Sequence, residues 1–125
     1  MAEIKGRCLC GAVRVRIFGT AGFAIRCHCR DCQKLSGGGS LPQVAFLRDE
    51  VTLDGPLKIH TLQSDAGYAG AFGFCGICGS PICKSTDRAP DRLFIVAAAL
   101  DDPGAVPPLQ VVHQDRRPPW DGAEG

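Results

Sequence analysis

Aromatic side chains are scarce in this sequence. Six Phe, one Tyr and one Trp are present in 125 residues, and 16 Gly and 9 Pro interrupt the apolar runs. The 45 % apolar content can supply one modest core, so we expect one domain over residues 1–125. A core this thin predicts an additional cross-link or a bound metal.

The sequence also lacks a long apolar segment and an excess of either charge. No stretch approaches the roughly 20 apolar residues that span a bilayer, and the first residues lead into cysteines without the apolar run of a secretory signal. Lys and Arg number 14 against 13 Asp and Glu, so a net charge of +1 gives no electrostatic reason to expect nucleic acid or a membrane as partner. We expect a cytoplasmic protein.

Glycine and proline divide the chain into short extended runs, which predict a small, mainly β domain of antiparallel sheets with little helix. The clearest strand is 12–18, where Val13, Val15 and Ile17 alternate with two arginines. Further strands are predicted at 23–28, 41–48, 57–62, 69–75, 92–99 and 109–114. A helical turn is predicted at 30–35, ended by the glycines at 37–39, and the tail 116–125 is expected to be irregular.

Eight cysteines stand mostly in close pairs, a spacing that favours metal ligands over the alternative of four disulfides. Cys75 and Cys78, followed by Gly79, form a zinc-knuckle pattern. Cys8 and Cys10, two apart on an extended segment, project to one side and can complete the set. We therefore predict a closed structural zinc site at Cys8, Cys10, Cys75 and Cys78, the four-cysteine cluster. The alternative is that Cys8 and Cys10 are merely buried small residues.

Cys27, Cys29 and Cys32, the three-cysteine cluster, can share a second zinc ion. Three protein ligands and one exchangeable position are typical of a catalytic zinc. The alternative is that His28 or Cys83 fills the fourth position and makes the site structural. An iron-sulfur cluster is a further alternative for four thiolates, but no cysteine run here matches the ferredoxin spacings.

Five segments of the sequence resemble the glutathione-dependent formaldehyde-activating enzymes, a family that includes centromere protein V. They are GRCLCGAV at 6–13, CHCRDCQKLSG at 27–37, FCGICGSP at 74–81, LDDP at 100–103 and PW at 119–120. The resemblance implies a β fold with two zinc ions, structural at the four-cysteine cluster and catalytic at the three-cysteine cluster. It also implies condensation of glutathione with formaldehyde to S-hydroxymethylglutathione, formally a carbon-sulfur lyase reaction in the bond-forming direction.

The resemblance leaves the substrate contacts open. Arg26, Arg30 and Lys34 are placed in the sequence to meet a glutathione carboxylate, and His28 to protonate the new alkoxide. Relatives usually have a basic residue where this chain has Gln33. The alternatives to an enzyme are a zinc domain that binds glutathione or a thiol adduct without catalysis, and a protein-interaction module.

Overall fold

The strands of this protein are short, as its many turn residues require. The structure is a computed structural model that describes residues 3–63 and 67–121. Its ten strands are β1 (Glu3–Arg7), β2 (Arg14–Phe18), β3 (Phe23–Cys27), β4 (Leu41–Leu47), β5 (Val51–Asp54), β6 (Leu57–Gln63), β7 (Ala69–Cys75), β8 (Pro81–Thr86), β9 (Arg92–Val96) and β10 (Leu109–Val112). The helix α1 (Arg30–Ser36) and four 3-10 turns complete the described structure. The mainly β fold with little helix is confirmed.

The strands form two sheets. A three-stranded antiparallel sheet has the order β1-β2-β5, and a seven-stranded sheet has the order β10-β3-β4-β9-β8-β7-β6. Pairs within the larger sheet are antiparallel except that β10 runs parallel to β3. The expectation of antiparallel sheets is therefore wrong for this one pair. Alternation of side chains does not report the direction of a neighbouring strand, so the sequence could not show it.

One apolar core lies between the two sheets. On β2, Val15 and Ile17 are buried while Arg14 and Arg16 are exposed, which confirms the alternation read from the sequence. They belong to the same buried cluster as side chains of the larger sheet, among them Ala24, Val44, Phe46, Ile82 and Ile95. Burial of these side chains is the main apolar contribution to stability.

The helix α1 lies on the opposite side of the larger sheet from this core. It begins after Cys29, whose sulfur accepts a hydrogen bond from the Cys32 N–H at 3.4 Å. It ends at Gly37, which has φ of 77° and donates its N–H to the Gln33 carbonyl at 2.8 Å. A left-handed glycine at the end of a helix is the expected stop. A second apolar cluster, including Leu41 and Val96, packs beneath it.

Three strands of the structure, β1, β5 and β8, are absent from the predicted set. β1 and β5 are short edge strands, and charged side chains in both weaken the apolar alternation by which strands are recognised. In β8 the pairing with β7 shifts, so that Gly73 faces Cys83 and Phe74 faces Pro81. Ile82 is then the extra residue of a bulge, which interrupts the period of two.

The ends of the predicted elements also differ in detail. The strand predicted at 92–99 ends at Val96 and continues as the 3-10 turn Ala97–Ala99. Residues 117–121 contain neither helix nor strand, as expected for the tail, and residues 122–125 lie outside the described residues. Within 3–63 and 67–121, no helix combines the length and apolar character needed to cross a bilayer.

Candidate metal centres and pocket

The four-cysteine cluster joins two distant parts of the chain. The segment after β1 contributes Cys8 and Cys10, and the end of β7 with the following turn contributes Cys75 and Cys78. All four sulfurs lie within 4.8 Å of one another. The Cys10 sulfur is 3.6 Å from that of Cys8 and 3.8 Å from that of Cys75. All eight cysteines of the chain are free thiols, so the disulfide alternative receives no support.

Backbone amides point at the sulfurs of this cluster. The N–H of Val13 donates to the Cys8 sulfur at 3.2 Å, and the N–H groups of Ile77 and Cys78 donate to the Cys75 sulfur at 3.3 and 3.4 Å. Burial acts to raise the pKa of the Cys8 thiol, but its hydrogen bonds, that from Val13 foremost, lower the pKa overall. Gly79 makes the turn possible, because its φ of 80° is unfavourable for a side chain.

Ser80 adds a side-chain contact to the same cluster. Its hydroxyl lies 3.1 Å from the Cys78 sulfur and lowers the pKa of that thiol to about 5. Thiolates are soft ligands that suit zinc or an iron-sulfur cluster. Four of them drawn together by backbone amides fit a bound metal ion.

The three-cysteine cluster is built at the junction of β3 and α1. Cys27 ends the strand, Cys29 precedes the helix and Cys32 lies in its first turn. Their sulfurs all lie within 4.8 Å of one another. Cys27 and Cys32 are buried, while Cys29 is half-buried. These three thiols could hold a second metal ion with one coordination position left over.

Hydrogen bonding among the three thiols shifts the pKa values of Cys27 and Cys29 in opposite directions. Hydrogen bonds from Cys27 and Cys32 lower the pKa of Cys29 far below its ordinary value. Hydrogen bonding with Cys29 and Cys32 correspondingly raises the pKa of Cys27. A bound cation would favour the ionised form of all three thiols, which is the form in which cysteine binds a metal.

Lys84 supplies a positive charge on one side of this cluster. Its Nζ lies 3.4 Å from the Cys32 sulfur, and the side-chain amide of Gln43 lies 3.7 Å from the same atom. Burial acts to lower the pKa of Lys84, but the thiols of the cluster outweigh it, so the pKa is raised. The ammonium group thus remains charged beside the sulfurs.

A pocket of about 460 Å³ opens beside the cluster, and we call it the main pocket. Cys27 and Cys29 lie in its wall together with the Lys84 side chain. Its remaining basic residues are Arg88, His113 and Arg116, and its apolar residues are Ile25, Phe94 and Val112. Such a volume is in the usual range for a small-molecule site, roughly 300 to 1,000 Å³. Asp31 also lies in the wall, but Lys84, Arg88 and Arg116 outnumber this carboxylate, so the arrangement suits an anionic ligand beside the cysteines.

His28 and Cys83, the two alternatives for a fourth ligand, lie outside the three-cysteine cluster. The His28 ring is buried, with Nδ1 2.9 Å from the Gly39 carbonyl oxygen and 3.7 Å from a carboxylate oxygen of Asp121. Cys83 is part of the core between the sheets, where burial raises the pKa of its thiol. Neither side chain lines the main pocket.

The basic residues selected from the sequence as substrate contacts are placed elsewhere. Arg26, Arg30 and Lys34 are exposed, and none of them lines the main pocket. The Arg30 side chain instead donates to the Gln33 carboxamide oxygen. Their contact with a substrate carboxylate stays a prediction, which their positions outside the main pocket do not favour.

Three other residues form the basic wall of the pocket. Lys84 lies on β8, Arg88 follows that strand, and Arg116 ends the 3-10 turn Gln114–Arg116. The Arg88 guanidinium lies 4.5 Å from the centre of the Tyr68 ring, a stacking contact that orients it. No local motif marks these residues, because folding brings them to the cysteines from at least 50 residues away along the chain.

Comparison with known proteins gives concordant results. Residues 3–115 match the family model described as "Glutathione-dependent formaldehyde-activating enzyme". A curated protein of Halomonas elongata, named "Putative glutathione-dependent formaldehyde-activating enzyme", is 28% identical over 123 residues, covering 94% of this chain and 78% of its own.

A solved structure shows the same fold. The crystal structure of a Rhodobacter sphaeroides protein superposes with a TM-score of 0.67 at 20% identity, covering 86% of this chain and 98% of its own. At that identity the likeness concerns the fold alone. The family model, which spans both cysteine clusters and most of the pocket, decides the relationship. The chain belongs to the family of glutathione-dependent formaldehyde-activating enzymes.

Proposed function

We propose that this protein condenses glutathione, or a related thiol, with formaldehyde or another small aldehyde. The reaction is that of a carbon-sulfur lyase of the S-(hydroxymethyl)glutathione synthase type, running in the bond-forming direction. Family membership supports the two substrates. We place the reaction in the main pocket, next to the three-cysteine cluster.

The observation that carries this proposal is the different surroundings of the two clusters. Four sulfurs meet in one cluster, which is the number of ligands that a tetrahedral zinc takes, so an ion bound there would have no position for substrate. In the other, three sulfurs meet and two of their residues lie in the wall of the main pocket. We therefore assign a structural zinc to the four-cysteine cluster and a catalytic zinc to the three-cysteine cluster.

The bond-forming step requires no oxidant or reductant. The thiol loses its proton to solvent, and its sulfur attacks the aldehyde carbon to form the carbon-sulfur bond. The π electrons of the C=O bond move to oxygen, and the resulting alkoxide takes a proton from solvent in the open pocket. A zinc ion held by Cys27, Cys29 and Cys32 would favour the ionised form of the incoming thiol.

The residues of the pocket bind and orient the reactants. Lys84, next to the Cys32 sulfur, offsets the negative charge of three thiolates. Without that offset, an anionic thiolate would approach an anionic cluster. Arg88 and Arg116 are suited to bind the carboxylates of glutathione, since a guanidinium can donate two parallel hydrogen bonds to a carboxylate. Holding both reactants together lowers the entropic cost of reaction.

A comparison of Cys29→Ala with Cys83→Ala tests this proposal. Cys29 belongs to the three-cysteine cluster, while Cys83 is a cysteine of the core outside both clusters. We expect about two zinc ions in the wild type and in Cys83→Ala, but about one in Cys29→Ala. The rate of S-hydroxymethylglutathione formation above the spontaneous reaction should disappear in Cys29→Ala only.

The spontaneous reaction provides the decisive control. Thiols add to formaldehyde unaided, so binding and catalysis must be measured separately. Saturable glutathione binding by the wild type without any rate gain would contradict the proposed enzyme and favour a non-catalytic glutathione-binding domain. A wild type that retains two zinc ions but binds no glutathione would contradict both.

A further inference from the structure

Gln33 is a buried polar residue whose side chain connects distant parts of the chain. It lies in α1 directly after Cys32 and is 4 % exposed. Its Nε2 donates to the His28 carbonyl at 2.8 Å and to the Arg116 carbonyl at 2.9 Å. Its Oε1 accepts a hydrogen bond from Arg30. The carboxamide therefore links the cysteine segment to a residue 83 positions later.

The residue at the far end of this link, Arg116, lines the main pocket. The chain leaves β10 at Val112, whose carbonyl accepts the His28 N–H at 3.1 Å. His113 follows with φ of 55° and ψ of 38°, the only positive φ at a non-glycine residue within 3–63 and 67–121. Such a conformation is costly and persists where neighbouring contacts impose it. Val112, His113 and Arg116 all line the pocket.

The turn that carries Arg116 has little burial of its own. Residues 113–117 are all exposed, so apolar packing contributes little to their position. Within the turn, the N–H of Arg116 donates to the His113 carbonyl at 2.9 Å. The hydrogen bond from Gln33 then fixes the end of the turn against α1. Because this hydrogen bond holds the exposed turn, it also sets the position of the Arg116 side chain relative to the cysteines.

We infer that Gln33 is a positioning residue for substrate binding. It holds the turn 113–116 so that Arg116 and His113 form the pocket wall beside Cys27 and Cys29. Gln33 acts through that wall and lies outside it, so it sets the affinity for the anionic thiol and leaves the bond-forming step unchanged. This inference rests on the proposed function, in which the main pocket binds glutathione.

Two substitutions separate the hydrogen bonds from the side-chain volume. Gln33→Met keeps the length and removes both donors, while Gln33→Lys keeps donors for the two carbonyls. In the zinc-loaded protein, we expect Gln33→Met to raise the KM for glutathione about tenfold with kcat within about twofold. Gln33→Lys should stay within about threefold of the wild type. Gln110→Met, the same change at an exposed residue of β10 that does not line the main pocket, is the control.

Binding of S-methylglutathione provides a readout independent of catalysis. This ligand keeps the two carboxylates of glutathione and lacks the ionisable thiol, so its dissociation constant reports the pocket wall. Calorimetry should show about tenfold weaker binding to Gln33→Met and unchanged binding to Gln110→Met. Unchanged affinity in Gln33→Met would overturn the inference and leave the proposed function intact. Absence of glutathione binding to the wild type would instead refute the proposed function.

A double-mutant cycle tests whether Gln33 acts through the turn. If it does, the effect of Gln33→Met on binding should fall from about tenfold to less than about threefold when Arg116 is already replaced by Ala. Additive effects would overturn the positioning role. If Gln33→Met loses the zinc of the three-cysteine cluster, or Gln33→Lys is impaired as strongly as Gln33→Met, Gln33 is a structural residue and the inference is wrong.

Discussion

The Lys84 ammonium nitrogen lies 3.4 Å from the sulfur of Cys32, on the side of the three-cysteine cluster formed by β8. Within the described residues, no ion pair joins Lys84 to a carboxylate. A half-buried cation is stabilised by a negative partner, and here the partner is sulfur. Cys32 was predicted from the sequence as a site residue, whereas Lys84 was not.

Replacing Lys84 by Met should weaken the catalytic site without unfolding the protein. The cluster would keep its three thiolates but lose the adjacent charge, and a hydrogen bond to a charged partner contributes about 1.5 to 3 kcal/mol. We expect at least about a tenfold loss of kcat/KM for glutathione, with partial recovery in Lys84→Arg. Zinc content should remain about two, as measured by metal analysis. Equal activity of Lys84→Met and wild type would refute the charge-compensating role.

The four-cysteine cluster should be required for folding, whereas Cys83 should not. Cys75 and Cys83 are both buried cysteines, with 1 % and 4 % exposure. Loss of a ligand removes part of a metal-binding free energy on the order of 10 kcal/mol, so Cys75→Ala should be largely unfolded by circular dichroism. Cys83→Ala should lose on the order of 1 kcal/mol of unfolding free energy. A folded Cys75→Ala protein with wild-type zinc content would contradict this assignment.

Much of the fold could be predicted because its signals are local. The alternation around Val15 and Ile17 identifies a strand with one buried face, and Gly37 identifies the end of α1. Both cysteine clusters follow from close spacing combined with the geometry of an extended segment and a tight turn. The sulfurs of each cluster meet as that spacing predicts.

The rest depends on contacts between distant segments, which a sequence pattern does not report. Lys84 reaches the three-cysteine cluster, and Arg116 after β10 reaches the pocket beside it, because β8 and β10 belong to the same sheet as β3. Gln33 illustrates a second limit. The family comparison marked Gln33 only as a position where relatives usually have a basic residue. In the structure its buried carboxamide donates hydrogen bonds to two backbone carbonyls.

Arg88 should contribute to binding of glutathione but not of a thiol without carboxylates. It lies at the wall of the main pocket, oriented by the Tyr68 ring. Loss of its charge-assisted contact in Arg88→Ala should raise the KM for glutathione about tenfold. The rate with 2-mercaptoethanol, which has no carboxylate, should be unchanged. Arg14→Ala, an exposed arginine on β2, controls for net charge, and a similar loss in that variant would argue against a local contact.

Cys83 should make the protein less stable in alkali. Burial raises the pKa of this thiol above its ordinary value of 9.0, so the unfolded chain releases the proton at a lower pH than the folded chain. The contribution of Cys83 to stability is therefore complete below about pH 9 and is lost as the pH rises through the folded pKa. Cys83→Ala lacks this titration, so its melting temperature should fall less between pH 8 and pH 10.5 than that of the wild type. Because both proteins keep both cysteine clusters, the difference between them isolates Cys83, and parallel melting curves across this range would show that the buried thiol does not titrate on unfolding.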